Sequence, residues 1–98
     1  MATLMVSYPA SEGAKFNRDY YHSTHIPLAR AAWVPFGLQS AEILCAGAGP
    51  QPLAAVAILR FRDQASIDAA LSSAETGKVI ADVANFTSVA PVIFRAND

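Results

Sequence analysis

The chain has 98 residues, of which 53% are hydrophobic and only 15% charged, and its formal net charge is −1. That length fits a single domain over 1–98. Seven scattered Lys and Arg form no phosphate-binding stripe, which argues against nucleic acid, and no apolar run nears the roughly 20 residues that span a bilayer. A charged content well below the roughly one quarter usual for soluble domains leaves more apolar surface than so small a monomer can hide, so a partner or a ligand cavity is expected.

Thr3–Tyr8 is short, β-rich and stopped by Pro9, and reads as a first strand rather than a signal peptide. After the "SEGAK" loop, Asn17 is a good N-cap for helix-compatible residues that run to about Val34. Pro27 interrupts that run, which predicts a kink or two joined helical pieces, and Pro35 and Gly37 close it. Leu38–Ala46 is the second strand, Gly47 to Pro52 a turn-rich loop, and Leu53–Phe61 the third strand. Asp63 can cap a helix with Ile67, Ala70 and Leu71 on one face. Ser73 can cap another, with Val79, Ile80, Val83 and Phe86 at helical spacing. Pro91–Arg95 is the last strand.

The order is β-α-β-β-α-β with the second helical region broken in two, which predicts an α+β, ferredoxin-like domain. Both helical regions of such a fold cover one face of the sheet. The other face is normally solvated and its strands alternate, yet "TLMVSY" and "LAAVAIL" are apolar on both sides. The expected cover is a second copy of the same sheet, giving a homodimer, with Ala55 or Ala57 as the outward positions to test.

Phe16–Leu28, "FNRDYYHSTHIPL", concentrates three aromatics and both histidines in an otherwise aliphatic chain. On a helix, Tyr21, His25, Leu28 and Ala32 share a face, and Pro27 removes the amide that would bond to the Ser23 carbonyl, opening the backbone beside His25. An imidazole there suits general acid–base work, with Tyr20 or Tyr21 orienting it or binding a substrate oxygen. The plainer alternative is that His25 and the tyrosines satisfy one another and rim the core. His22, at the helix edge, is expected to do little. A metal is not expected, because His22, His25 and Asp19 would crowd onto one helix.

The same segment is similar to the signature of the EthD family, named for ethyl tert-butyl ether degradation: an Asn or acidic cap, Tyr-Tyr, then His-x-Pro-Leu. "YPASEGAKFN", "GLQSAEI" and "DVANFTSVAPV" extend the resemblance over nearly the whole chain, with Ala84 where Pro is common and Asn17 where Asp is common. The resemblance implies a dimeric α+β barrel, two ferredoxin-like monomers packed sheet to sheet. Its wider superfamily includes isomerases, dehydratases or cyclases and cofactor-free monooxygenases, so an oxidoreductase is one of several outcomes and the fold alone does not choose.

The resulting expectation is a cofactor-independent enzyme acting by proton transfer on an apolar, oxygenated organic compound. His25 and Tyr21 are the catalytic candidates, and Tyr8, Tyr20, Trp33 and Phe86 the substrate-binding ones. The alternative is a non-catalytic, ligand-binding accessory of a degradative or secondary-metabolite pathway. Trp33 and Phe36 suit a core or interface, and Asp82 and Asn85 an anchor for the turn after the last helix. Cys45 would be a small hydrophobe lacking any base that the sequence can place beside it. As a lone cysteine it fits a reducing compartment, the cytoplasm.

Overall fold

The computed structural model describes residues 1–11 and 13–97. Strand β1 is Ala2–Pro9, β2 is Leu38–Cys45, β3 is Leu53–Phe61 and β4 is Val92–Asn97. All neighbours are antiparallel, in the order β2-β3-β1-β4. Strands β1 and β2 are joined by a helical crossover yet lie apart, with β3 between them, which is the split β-α-β of a ferredoxin-like sheet.

The crossover is one continuous helical run in four pieces. Helix α1, Arg18–Tyr20, starts where the Asn17 side chain accepts from the Tyr20 amide. A π-helical turn follows at Tyr21–His25, then α2 at Ile26–Trp33 and a 3₁₀ turn at Val34–Phe36. The predicted interruption near Pro27 thus takes the form of a widened turn just before it, closed by the Ile26 amide donating to the Tyr21 carbonyl. Gly37 ends the run at φ 106°.

The second crossover is broken as expected. Asp63 caps α3, Gln64–Ser72, through the Ser66 amide, and α4 spans Ala74–Asp82. Ser73 makes no side-chain cap; its hydroxyl donates backwards to the Ala70 carbonyl instead. Thr76, buried, joins the layers: it accepts from Trp33 Nε1 at 2.8 Å and donates to the Ala70 carbonyl at 2.6 Å.

The helices cover the face of the sheet that carries Leu4, Tyr8, Ala55, Ala57, Leu59 and Phe61, all buried. Two clusters result. One gathers Leu4, Phe61, Ile67, Trp33 and Val79; the other is aromatic, with Tyr8, Tyr21 and Phe86 packed over Ala55. The face assignment corrects one expectation. Ala55 and Ala57 point at the helices, and the open face is carried by the alternate positions Ala54, Val56 and Ile58, beside Met5 and Phe94. A strand's faces alternate with period two, so an assignment shifted by one residue moves every side chain to the other side.

Gly37 has a demanding place. A Cβ there would lie 2.8 Å from the Ser66 hydroxyl oxygen, and its φ is one that L side chains rarely adopt. Gly37→Ala is expected to lower stability by about 1–3 kcal/mol, read as a shift of the urea midpoint at unchanged slope. A neutral result would mean that the turn between the first crossover and β2 rearranges freely.

Candidate functional site

Small side chains line a cavity. Ala29 on α2, Ala41 on β2 and Ala57 on β3 put methyl groups where larger side chains would meet, and a space of about 80 Å³ remains between the helices and the sheet. A single water needs roughly 10–15 Å³, so there is room for more than one solvent molecule. The lining is almost wholly apolar: Leu4, Val6, Leu59, Val79 and Ile93 surround the one imidazole, His25. Water is poorly held by such walls, whereas an apolar molecule fits them.

His25 is 4% exposed. Its Nδ1 lies 2.9 Å from Asp82 Oδ2 at the end of α4. The other carboxylate oxygen accepts from the Tyr20 hydroxyl at 2.6 Å and from Asn85 Nδ2 at 2.9 Å. Burial opposes the charge on Asp82, but the hydrogen bonds from Tyr20, Asn85 and His25 outweigh it and hold the carboxyl below its ordinary range. An ionised carboxylate only accepts, so Nδ1 of His25 carries a proton whichever charge the ring bears, and the neutral form has its free electron pair on Nε2. Among the described residues no hydrogen bond from the protein reaches Nε2.

Local sequence explains how these groups meet. The Asn17 amide donates to the Phe86 carbonyl at 2.7 Å, and Phe16 and Thr87 form an isolated antiparallel bridge. These contacts pull the segment after α4 against the start of the crossover. Phe86 then packs on His25, ring centres 4.5 Å apart, and Tyr21 stacks on it at 5.8 Å with planes 17° apart. The π turn keeps Tyr21 and His25 inward while His22 stands exposed.

Of the residues singled out in the sequence, the cavity wall brings together His25, Tyr21, Tyr8 and Trp33. Trp33 offers its ring, its indole N–H being taken by Thr76. Tyr20 and Phe86 are not part of that wall; Tyr20 binds Asp82 and Phe86 packs against the His25 ring. Burial pushes the Tyr8 hydroxyl up to about 12, so it remains a proton donor at any ordinary pH. Tyr21 is raised further, by burial first and then by Tyr8 and Cys45.

Two participants were not anticipated. Asp82 was read as a turn anchor, and it does hold Asn85, but it is also the partner of His25. Its position one turn before Phe86, in a segment that resembles the family's C-terminal block, was the available signal. His22 lies 3.3 Å from the Cys45 sulfur, so Cys45 has the neighbouring base that the sequence could not supply. Among the described residues no three of His, Cys, Asp and Glu converge as a metal would require.

The lowered pKa of Asp82 fixes the sign of an acid effect. Its stabilising contribution is complete above the unfolded carboxylate value, about 3.9, and fades as pH falls through its lower folded value. Asp82→Asn is expected to cost about 1–3 kcal/mol near neutrality and to reduce the acid sensitivity of unfolding. Urea titrations from pH 7 down to pH 2 check both. Equal wild-type and variant stability across that range would remove Asp82 from the account.

The comparisons with known proteins concern the family and the fold. The model of the EthD domain matches residues 13–90. An EthD-like protein from Ralstonia eutropha JMP134 is 26% identical, with a TM-score of 0.81, covering 98% of this chain and 89% of that one. An ethyl tert-butyl ether degradation family protein from Bacillus halodurans C-125 is 18% identical, with a TM-score of 0.77, over 100% and 98% of the two chains. A dimeric ferredoxin-like protein from Jannaschia sp. CCS1 shares the fold at 15% identity and a TM-score of 0.70, over 99% and 98%. No curated protein matches the sequence. The matched span runs from the loop before the helix cap to the segment that carries Asp82 and Phe86, and this chain belongs to the EthD family.

Proposed function

We propose that this protein acts on a small, apolar, oxygenated organic molecule by proton transfer through His25, without a cofactor. The observation that carries the reading is the His25–Asp82 pair, 2.9 Å apart, at the wall of an apolar cavity. Asp82 fixes the tautomer and steadies the imidazolium that forms, while Tyr20 and Asn85 hold Asp82 in place. Nε2 takes a proton from a carbon or oxygen acid of the bound molecule and returns it elsewhere on that molecule. The Tyr8 hydroxyl, kept protonated, donates to the oxygen on which charge develops. Tyr21, stacked on His25, sets the ring plane. Isomerisation, dehydration and cofactor-free oxidation all begin with such a proton abstraction. A lone free thiol at Cys45 fits work in the cytoplasm.

The probe is nitrobenzisoxazole, an apolar aromatic whose ring opens when one C–H proton is removed. Buffer-subtracted turnover is expected for the wild type. His25→Gln should lower it by about 10²–10⁴, and Asp82→Asn should lower kcat more than it raises KM. Binding of the probe without turnover, unchanged in His25→Gln, would instead favour an accessory that only carries its ligand; the almost unbroken apolar lining of the cavity gives that second reading its support.

The working unit in this reading is a homodimer through the open sheet face. Leu44, Val92 and Phe94 are about half exposed there, beside the part-buried Met5, Val56 and Ile58. Such a patch on a sheet with helices on one side only calls for a partner surface of the same kind. The Jannaschia relative described as dimeric supports it. A contact of on the order of 1,600 Å² would cover the patch. Val56→Asp or Ile58→Asp is expected to give a monomer by sedimentation velocity, and a wild-type chain that sediments as a stable monomer at micromolar concentration would refute the dimer.

A further inference from the structure

The Cys45–His22 pair lies outside the proton-transfer machinery just described. Cys45 ends β2 with its side chain on the helix side, half-buried against the aromatic cluster of Tyr8, Tyr21 and Phe86. His22, exposed on the π turn, reaches down so that Nε2 is 3.3 Å from Sγ. Arg18, one turn earlier, donates to the carbonyl of Ala46, the residue after Cys45, and so ties the start of the crossover to the end of β2. A half-buried thiol with an imidazole nitrogen in contact has a general base placed to take its proton.

A second observation indicates what would occupy this place. The Tyr21 hydroxyl is buried and has no hydrogen-bond partner. Leaving a buried donor unpaired is costly, about 1–3 kcal/mol, and such groups call for an explanation. Cys45 packs against the same aromatic cluster as Tyr21, yet its sulfur does not accept this hydrogen bond.

We infer that Cys45, His22 and Tyr21 form a thiol-addition site for α,β-unsaturated carbonyl compounds. His22 Nε2 takes the S–H proton. The sulfur forms a bond to the β-carbon as the C=C electron pair shifts to give an enolate, whose oxygen accepts from Tyr21 O–H. The imidazolium then returns the proton to the α-carbon. The product is a saturated thioether, and no oxidant, reductant or second substrate is consumed. A conjugated C=C–C=O unit has the electrophilic carbon and the acceptor oxygen at opposite ends, as this arrangement of nucleophile and donor requires. Its apolar body would rest on the aromatic cluster.

The test follows the mass of the intact protein during incubation with cyclohexenone. One adduct is expected on the wild type, faster than on glutathione under the same conditions, and none on Cys45→Ser. His22→Gln should slow addition at least tenfold. Tyr21→Phe should slow cyclohexenone addition while leaving the rate of exchange with an aromatic disulfide reagent unchanged, because that reaction forms no enolate. A Tyr21 that merely packs the region would alter both rates or neither. Circular dichroism of each variant checks that the fold is retained. A wild-type rate no greater than that of glutathione, or a His22→Gln rate equal to wild type, would overturn the site.

Discussion

The arrangement depends on one carboxylate. Asp82 sits at the end of α4 with 9% of its surface exposed, and such a charge is tolerated only where donors surround it. Three donors do so: the phenol of Tyr20, the amide of Asn85 and the imidazole of His25. Hydrogen bonds to a charged group contribute more than neutral ones, about 1.5–3 kcal/mol each. One side chain thereby ties the second crossover to the first. The same bonds that hold the helices together also decide which nitrogen of His25 carries a proton. Helix packing and the His25 tautomer share an atom pair, so neither can be changed alone at this position.

The cavity beside that pair follows from side-chain size rather than from any special backbone. Interiors pack to the density of organic crystals when side chains interdigitate. Here small side chains line the space: Ala29 on the helix side, and Ala41 and Ala57 on the sheet. Sheet and helices are held together at its edge by Leu4 and the Trp33–Thr76–Ala70 chain of hydrogen bonds, and beyond it by the packing of Phe61 and Ile67. In so apolar a space the field of the His25–Asp82 pair is weakly screened, which strengthens its action on any group placed inside.

Most of the fold was legible in the sequence, and the reasons are local. Asn17 and Asp63 are caps, and hydrophobic runs bounded by Pro and Gly mark the strands. Of Tyr21, His25, Leu28 and Ala32, which helical spacing puts on one face, three are buried and Leu28 is half-buried. What was not legible depends on contacts distant in sequence or on strand parity. His25 and Asp82 are 57 residues apart, and nothing in local pattern separates a carboxylate that caps a turn from one that also orients a ring. Cys45 and His22 are 23 residues apart and meet only because β2 returns beneath the π turn. The outward positions of β3 were assigned one residue off, because "LAAVAIL" is apolar at every step and carries no period to read. Phe86 belonged to the right neighbourhood, but sequence spacing could not say that it packs against His25 rather than lining the cavity.

The π turn gives the two histidines opposite surroundings. A regular helix places residues three apart on neighbouring parts of one face, about 60° apart around the axis. The turn at Tyr21–His25 adds a residue to the circuit, and Pro27, two residues past its end, lacks the amide that a regular helix would use to bond to the Ser23 carbonyl. The ring at His25 ends inside against Phe86 and Asp82; the ring at His22 ends outside over Cys45. Two imidazoles of equal intrinsic chemistry thus acquire a carboxylate in one case and a thiol in the other. Tyr21 contacts both, stacked on His25 and edge-on to His22. A substitution that restored regular α-helical winding here would have to disturb both environments at once, because the same backbone irregularity sets them.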